Sequence, residues 1–389
     1  MKHQSAATRS QQISSFDAVE FLSKIVQTPS CDPPGGELEV ARLVHEAMLN
    51  LGIESTLDEF EPGRANVLGR VRGSGRRKSF VYSSHMDTLP PGEENWTQPP
   101  FSGIVENGRV HGRGATDMKC ALASMIAAAG EIVAAGTPLE GDLVLAFTAG
   151  ESNNLLGARR FAEQGLKEEI GAFLCGEPSD LDIVVVEKAV VCAKVIARGT
   201  MGHVSGEGGH NAIEAMMDAL TKLESFPLHC PQHALLDAPT LTITRINGGW
   251  ANNATPDLCE TIIDIRLPPN VAPDGVLHKL RQHLGSAFRV DLVEFKPAVE
   301  EAADSDFVKL CQNACRRVTG REPKVIGVSY YSDGAILMDG VNASFAIIGP
   351  GQLGGSGTPN EWVSIKHVQE AASIYRTVAE TWLQKKSEL

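Results

Sequence analysis

The sequence predicts an α/β protein: a layered sheet with helices on its faces, interrupted by a smaller, inserted α+β domain of ferredoxin-like order. Three observations predict it. Apolar strand-like runs alternate with helical patterns from Phe16 to about residue 190, the texture changes between about 191 and 297, and the alternation then resumes to the C-terminus. The length of 389 residues fits two domains, because single cores seldom grow beyond roughly 250 to 300 residues.

The elements follow in order. "FDAVEFLSKIVQ" carries apolar residues at helical spacing and is closed by the turn-forming "TPSCDPPGGE"; "ELEVARLVHEAMLNLG" is a second amphipathic helix. "KSFVYSSH" is a buried strand, "DMKCALASMIAAAGEIVAAG" a long helix rich in small residues, "DLVLAFTAG" a strand, "GARRFAEQG" a helix and "IGAFLCGEP" a further strand. The changed segment then offers "CAKVIARGTMGHVSG", a helix "NAIEAMMDALTKLES", strands "LTITRINGG" and "CETIIDIRLPP", and a helix "GVLHKLRQHLG". This β-α-β-β-α-β order packs as a small sheet with two helices on one face. "FVKLCQNACRRVTG", "VIGVSYYSDGAIL", "ASFAIIGPG" and a C-terminal helix from "IKHVQEAASIYRTVAETWL" complete the α/β part. The expected boundaries are 1–190 with 298–389 for the larger domain and 191–297 for the insert.

Composition narrows the function classes. A formal net charge of -13 with scattered Lys and Arg argues against nucleic acid and anionic membrane as partners. No run approaches the roughly 18 apolar residues of a membrane span. The start "MKHQSAATRSQQ" lacks the apolar region of a signal peptide, so a cytoplasmic location is expected. The eight cysteines contain no C-x-x-C pair and read as reduced thiols in mostly apolar surroundings.

Chemistry gathers where open α/β sheets place their binding crevice, at the C-terminal ends of strands. His85 and Asp87 follow one strand in "SSHMDTLPPG", Asp117 opens the long helix in "GRGATDMK", and Glu177 follows another strand in "CGEPSD". Two carboxylates and an imidazole suit Zn²⁺ or Mn²⁺, and Asp87 is placed to fix the tautomer of His85 from outside the ligand set. Taken singly, Asp117 reads more readily as a helix N-cap and Glu177 as a loop residue; it is their joint placement that points to a metal site. Glu151 is the single acid at the mouth of its strand, in "TAGESNNLLGARR".

The strings "SSHMDTLP", "GRGATDMKCALASM", "TAGES" with "GARR", "GEPS", "GHVS", "NATPD", "DIRLPP" and "GTPNEW", in this order, resemble the metallopeptidase superfamily of acetylornithine deacetylase, succinyl-diaminopimelate desuccinylase, aminoacylase and carboxypeptidase G. The resemblance implies a catalytic domain with an inserted dimerisation or lid domain, a homodimer, and a two-metal site. His85, Asp117 and Glu177 match the ligands of one ion, with Asp117 normally bridging to a second. Glu151 matches the general base. His203 matches a histidine that enters the neighbouring subunit's site to steady developing negative charge. Asn253, Arg266 and Lys296 match substrate-contacting positions, Lys296 standing where the family often has an Arg.

The departures from the family pattern are as informative. The second ion's private ligands should stand at positions 152 and 357, which here are Ser152 and Gly357. Loss of both while the first set is kept implies one divalent ion per chain, Zn or Mn, since a lone hydroxyl holds a divalent cation poorly. Tyr330 and Tyr331 replace glycines that give room to the substrate; they either wall the pocket with aromatic rings or pack in the core. The expected function is metal-dependent hydrolysis of a C–N bond in a small carboxylate-bearing substrate, of the N-acyl amino acid or dipeptide type. One alternative is hydrolytic deamination of an aromatic amine such as 5-nitroanthranilate, an activity found in the same superfamily. A second is a binding relic without turnover.

Overall fold

The computed structural model describes residues 16–206 and 208–384, so the polar start at 1–12 lies outside the described residues. At its centre stand parallel strands buried along their whole length, Ser79–His85 and Leu143–Thr148, with Ile170–Cys175 paired to the first of them on its other side. Burial on both faces explains why these strands read as continuous apolar runs. Ser344–Ile347 continues the parallel order next to Ile170–Cys175, followed by Ile183–Glu187, and Val325–Val328 pairs in parallel with the latter.

The sheet is wider than the sequence pattern indicates. An antiparallel hairpin, Glu54–Glu61 and Arg64–Val71, joins it beside Leu143–Thr148. Its outer strand, "ESTLDEFE", is an edge strand whose residues alternate between exposed and half-buried, and acids at such positions hide the strand signal. Helix Lys119–Ala135 is buried over nearly its whole surface and packs against the C-terminal helix Ile365–Gln384. Its small residues allow that close approach, and Gly136, at φ +61°, ends it in the left-handed conformation that glycine adopts without strain.

The second sheet has the order Thr240–Gly248, Leu258–Leu267, Ala189–Arg198, Phe288–Lys296, all antiparallel. Helices Ala212–Glu224 and Pro273–Leu284 pack on it and on one another around Val195, Met216, Ile263, Leu277 and Leu280. The connectivity is that of a ferredoxin-like split β-α-β unit. Thr240–Gly248 forms one edge and is exposed along almost its whole length. All eight cysteines are free. Among the described residues no helix is long and apolar enough to cross a membrane.

Candidate metal centre

His85 is the last residue of its strand, and Glu151 and Glu177 follow the ends of the two flanking strands. All three groups therefore meet at one end of the sheet. Asp117 arrives from the loop before helix Lys119–Ala135, in which Met118 holds the cap position without a side-chain cap; Asp117 is no N-cap. His85 Nε2 lies 3.0 Å from Asp117 Oδ1 and 3.6 Å from Glu177 Oε1. The ligand atoms of these three residues all lie within 4.8 Å of one another, a spacing and donor set that fit one divalent ion.

The tautomer is set by the main chain. His85 Nδ1 is 2.9 Å from the Asp87 carbonyl oxygen, which can only accept, so Nδ1 carries the hydrogen and Nε2 faces the carboxylates. The Asp87 carboxylate, expected from the sequence to do this, is 3.7 Å from Nδ1. It accepts instead from the backbone N–H groups of Glu151 (3.1 Å) and Ser152 (3.2 Å) and from the Ser152 hydroxyl (3.1 Å). Asp87 thus fixes the loop that carries Glu151, and Ser152 is a working member of that contact.

A buried network fixes the same loop from below. Arg64 grips Asp32 with both terminal nitrogens (2.8 and 3.0 Å) and Glu37 at 3.1 Å, and Glu37 Oε1 also accepts from Gly150 N–H at 3.1 Å. Gly150 sits at φ +68°, and a Cβ there would come within 2.7 Å of Arg64 Nη1, so "TAGES" requires its glycine. Asp32, Glu37 and Asp87 also cluster closely, but the guanidinium already supplies the positive charge at that place.

Charge at the centre is unbalanced toward the acids. Burial opposes the charged form of His85, but Asp87, Asp117 and Glu177 outweigh it and raise the imidazole well above its usual range. Glu177 is raised by burial and then by Asp117, and Glu151 by burial, Asp87, Asp333 and Asp117 against the pull of His85. Asp117 goes the other way: burial opposes its ionisation, yet hydrogen bonds from His85 and Ser356 and the nearby charges of His85 and Arg113 hold it below the ordinary carboxylate range. Crowded carboxylates that resist ionisation are the signature of a place for a cation.

Two residues without a role in the sequence reading complete the centre. Glu361 Oε1 accepts from the N–H groups of Gly114 (3.0 Å), Thr116 (2.8 Å) and Asp117 (3.1 Å), while its Oε2 accepts from Arg113 Nη1 at 2.6 Å. The Ser356 hydroxyl donates to Asp117 Oδ2. Gly357 beside it adopts φ +71°, and its carbonyl accepts from Arg113 at 3.0 Å.

The cavity over these groups measures about 460 Å³ and is walled by Leu89, Pro178, Arg266, Tyr330 and Tyr331. Tyr330 donates to the Pro178 carbonyl at 2.9 Å, and both tyrosines also pack on the core below, so wall and core packing coexist. Arg266 pairs with Asp264 at 2.7 Å and its guanidinium lies 5.3 Å from the Tyr331 ring centre. Lys296 is not among the residues lining the cavity. Its Nζ is 2.5 Å from Glu294 and 4.6 Å from the Tyr331 ring centre. His203 and Asn253 also lie outside this chain's own cavity: both are exposed, next to the short ladder of Gly202–His203 with Ala254–Thr255, and His203 Nδ1 is 2.7 Å from the Ser205 hydroxyl.

The chain is similar to known proteins over almost its whole length. It is 27% identical over 354 residues to acetylornithine deacetylase of Aliivibrio fischeri, covering 87% of this chain and 90% of that one. It is 26% identical to succinyl-diaminopimelate desuccinylase of Paracoccus denitrificans, covering 94% and 98%. The fold superposes on an M20 family metallo-carboxypeptidase from Sulfolobus solfataricus with a TM-score of 0.79 at 18% identity, covering 95% and 99%. Residues 81–381 match the model of peptidase family M20/M25/M40. The chain belongs to that family and is, like its members, a metal-dependent hydrolase acting on carbon–nitrogen bonds.

Proposed function

We propose that the protein hydrolyses the C–N bond of a small carboxylate-bearing substrate, of the N-acyl amino acid or dipeptide type, with one divalent ion per chain held by His85, Asp117 and Glu177. The observation that carries this reading is the meeting of those three ligand atoms in the cavity that also receives Glu151. Both curated relatives named above are called after N-acylated amino acids, which supports the substrate class. A Zn or Mn ion bound there would polarise the scissile carbonyl and acidify the attacking water.

Glu151 is the general base. Burial, with the charges of Asp87, Asp333 and Asp117, raises its carboxyl against the pull of His85, so it takes up a proton more readily than a free carboxylate. Asp87 and the Arg64 network hold its backbone, so the carboxylate is positioned before substrate arrives. Arg266, on the cavity wall, offers a guanidinium to a substrate carboxylate. Ser152 and Gly357 support the single ion, because the serine hydroxyl is committed to Asp87 and the glycine has no side chain to offer.

Residues 191–297 form the dimerisation or lid domain on a catalytic domain of 1–190 and 298–389, and the exposed strand Thr240–Gly248 and exposed Trp250 mark surface available to a second copy. In the homodimer His203 and Asn253 serve the partner's cavity, which accounts for their distance from this one.

The tyrosine wall favours a second reading, hydrolytic deamination of an aromatic amine such as 5-nitroanthranilate, since a planar ring stacks well against Tyr330 or Tyr331. A relic that only binds has no use for a buried base. The test is turnover of a panel of N-acyl amino acids, dipeptides and aminobenzoates by protein loaded with Zn²⁺ or Mn²⁺, with and without chelator. Chelator-sensitive turnover of an N-acyl amino acid or dipeptide supports the reading; turnover of aminobenzoates alone transfers it to the alternative, and none at all overturns both.

A further inference from the structure

The two oxygens of Asp117 have different partners. Oδ1 faces His85 Nε2 at 3.0 Å, within the cluster that includes Glu177, whereas Oδ2 accepts from the Ser356 hydroxyl. A carboxylate that bridged two ions would present this second oxygen to the second ion. In this chain the partner of that oxygen is a hydroxyl.

We propose that Ser356 is a positioning residue that stands in for a second ion: its hydroxyl holds Asp117 Oδ2 and so turns Oδ1 toward His85 and Glu177 as a terminal ligand. The backbone of Asp117 is already fixed, since its N–H and those of Thr116 and Gly114 all end on Glu361. The remaining freedom is the carboxylate torsion, which is intrinsically broad in aspartate. The hydrogen bond from Ser356 removes it. Such outer partners of ligands typically govern metal affinity by about 10 to 100-fold.

The loop is built to deliver that hydroxyl. Arg113 holds the Gly357 carbonyl at 3.0 Å and the Thr358 carbonyl at 3.4 Å while it pairs with Glu361. At Gly357 a Cβ would stand 3.1 Å from Leu89 Cδ1 on a backbone at φ +71°, so a ligand-bearing side chain there would be strained as well as crowded. Ser152, on the other side, already donates to Asp87. Ser356 is exposed, and its removal leaves no hole in the core.

This inference rests on the proposed reading of His85, Asp117 and Glu177 as the ligands of a single ion, and the titration reads stoichiometry and affinity separately. The experiment is calorimetric titration of the metal-free full chain with Zn²⁺ and with Mn²⁺, for the parent, Ser356→Ala, Ser356→Thr and His85→Ala, with the visible spectrum of the Co²⁺-loaded forms as a second readout. Ser356→Ala should weaken both ions by about 10-fold or more and shift the Co²⁺ bands, while Ser356→Thr, which keeps a hydroxyl, should recover most of the affinity and the parental bands. Parental affinity in the alanine variant would overturn the proposal, as would a threonine variant as weak as alanine, since packing and not the hydroxyl would then be at work. An unchanged affinity in His85→Ala would overturn the ligand set itself, and the role of Ser356 with it.

Discussion

Replacing Glu361 by glutamine tests how Asp117 is held. The wild-type carboxylate gives one oxygen to three backbone N–H groups, of Gly114, Thr116 and Asp117, and the other to Arg113 at 2.6 Å. Glu361 and Arg113 are 3% and 2% exposed, so neither group can turn to water. Glutamine has one acceptor oxygen and one donor group, and whichever way it lies a donor must face donors. Breaking a buried ion pair by removing one partner costs roughly 3 to 5 kcal/mol. Arg113 retains the Gly357 and Thr358 carbonyls, which offset part of that, so the lower end of about 3 kcal/mol applies. Glu361→Gln should therefore unfold several degrees below the parent in a thermal scan of the metal-free protein. It should also bind Zn²⁺ about 10 to 100-fold more weakly, because the Asp117 backbone is released. An unfolding temperature within about 1 °C of the parent, together with parental metal affinity, would refute the clamp.

Glu151→Gln should retain its metal and fold while losing roughly two to four orders of magnitude in kcat; loss of metal with turnover retained would make Glu151 a ligand. Burial raises Glu187 to about 8, with the Asp333 charge adding to it against hydrogen bonds from Ser332. The folded protein thus holds this proton where the unfolded chain has released it. Its stabilising contribution is complete below about pH 4.5 and is lost as pH rises through about 8. Glu187→Gln should accordingly flatten the pH dependence of the unfolding temperature between pH 5 and 9, by on the order of 4 kcal/mol across the range, whereas parallel curves would contradict it. Sedimentation should give about twice the chain mass, and His203→Ala should lower kcat in the dimer without loss of metal; a fully active monomer would remove His203 from the reaction.

The parallel strands were legible because they are buried on both faces and read as apolar runs, and the acids and imidazole at their C-terminal ends were legible from that placement. The hairpin 54–71 was not, since its outer strand sits at the sheet edge. Long-range partners were also hidden: Glu361 stands inside the string "GTPNEW" and Ser356 just before it, but nothing local ties either to Asp117, some 240 positions away in the chain. One missed signal was local. Glu294 and Lys296, two apart on the strand Phe288–Lys296, share a face, so their pairing was readable. Asp264 and Arg266 repeat the pattern, yet Arg266 still reaches the wall.

The central claim is a centre of one ion, with the Ser356 hydroxyl committed to Asp117 and the Ser152 hydroxyl to Asp87. Elemental analysis of active protein, dialysed free of loose metal, measures it most directly. The account predicts close to one Zn or Mn per chain. Two tightly held ions per chain, resolved by anomalous scattering at positions about 3.5 Å apart, would contradict it.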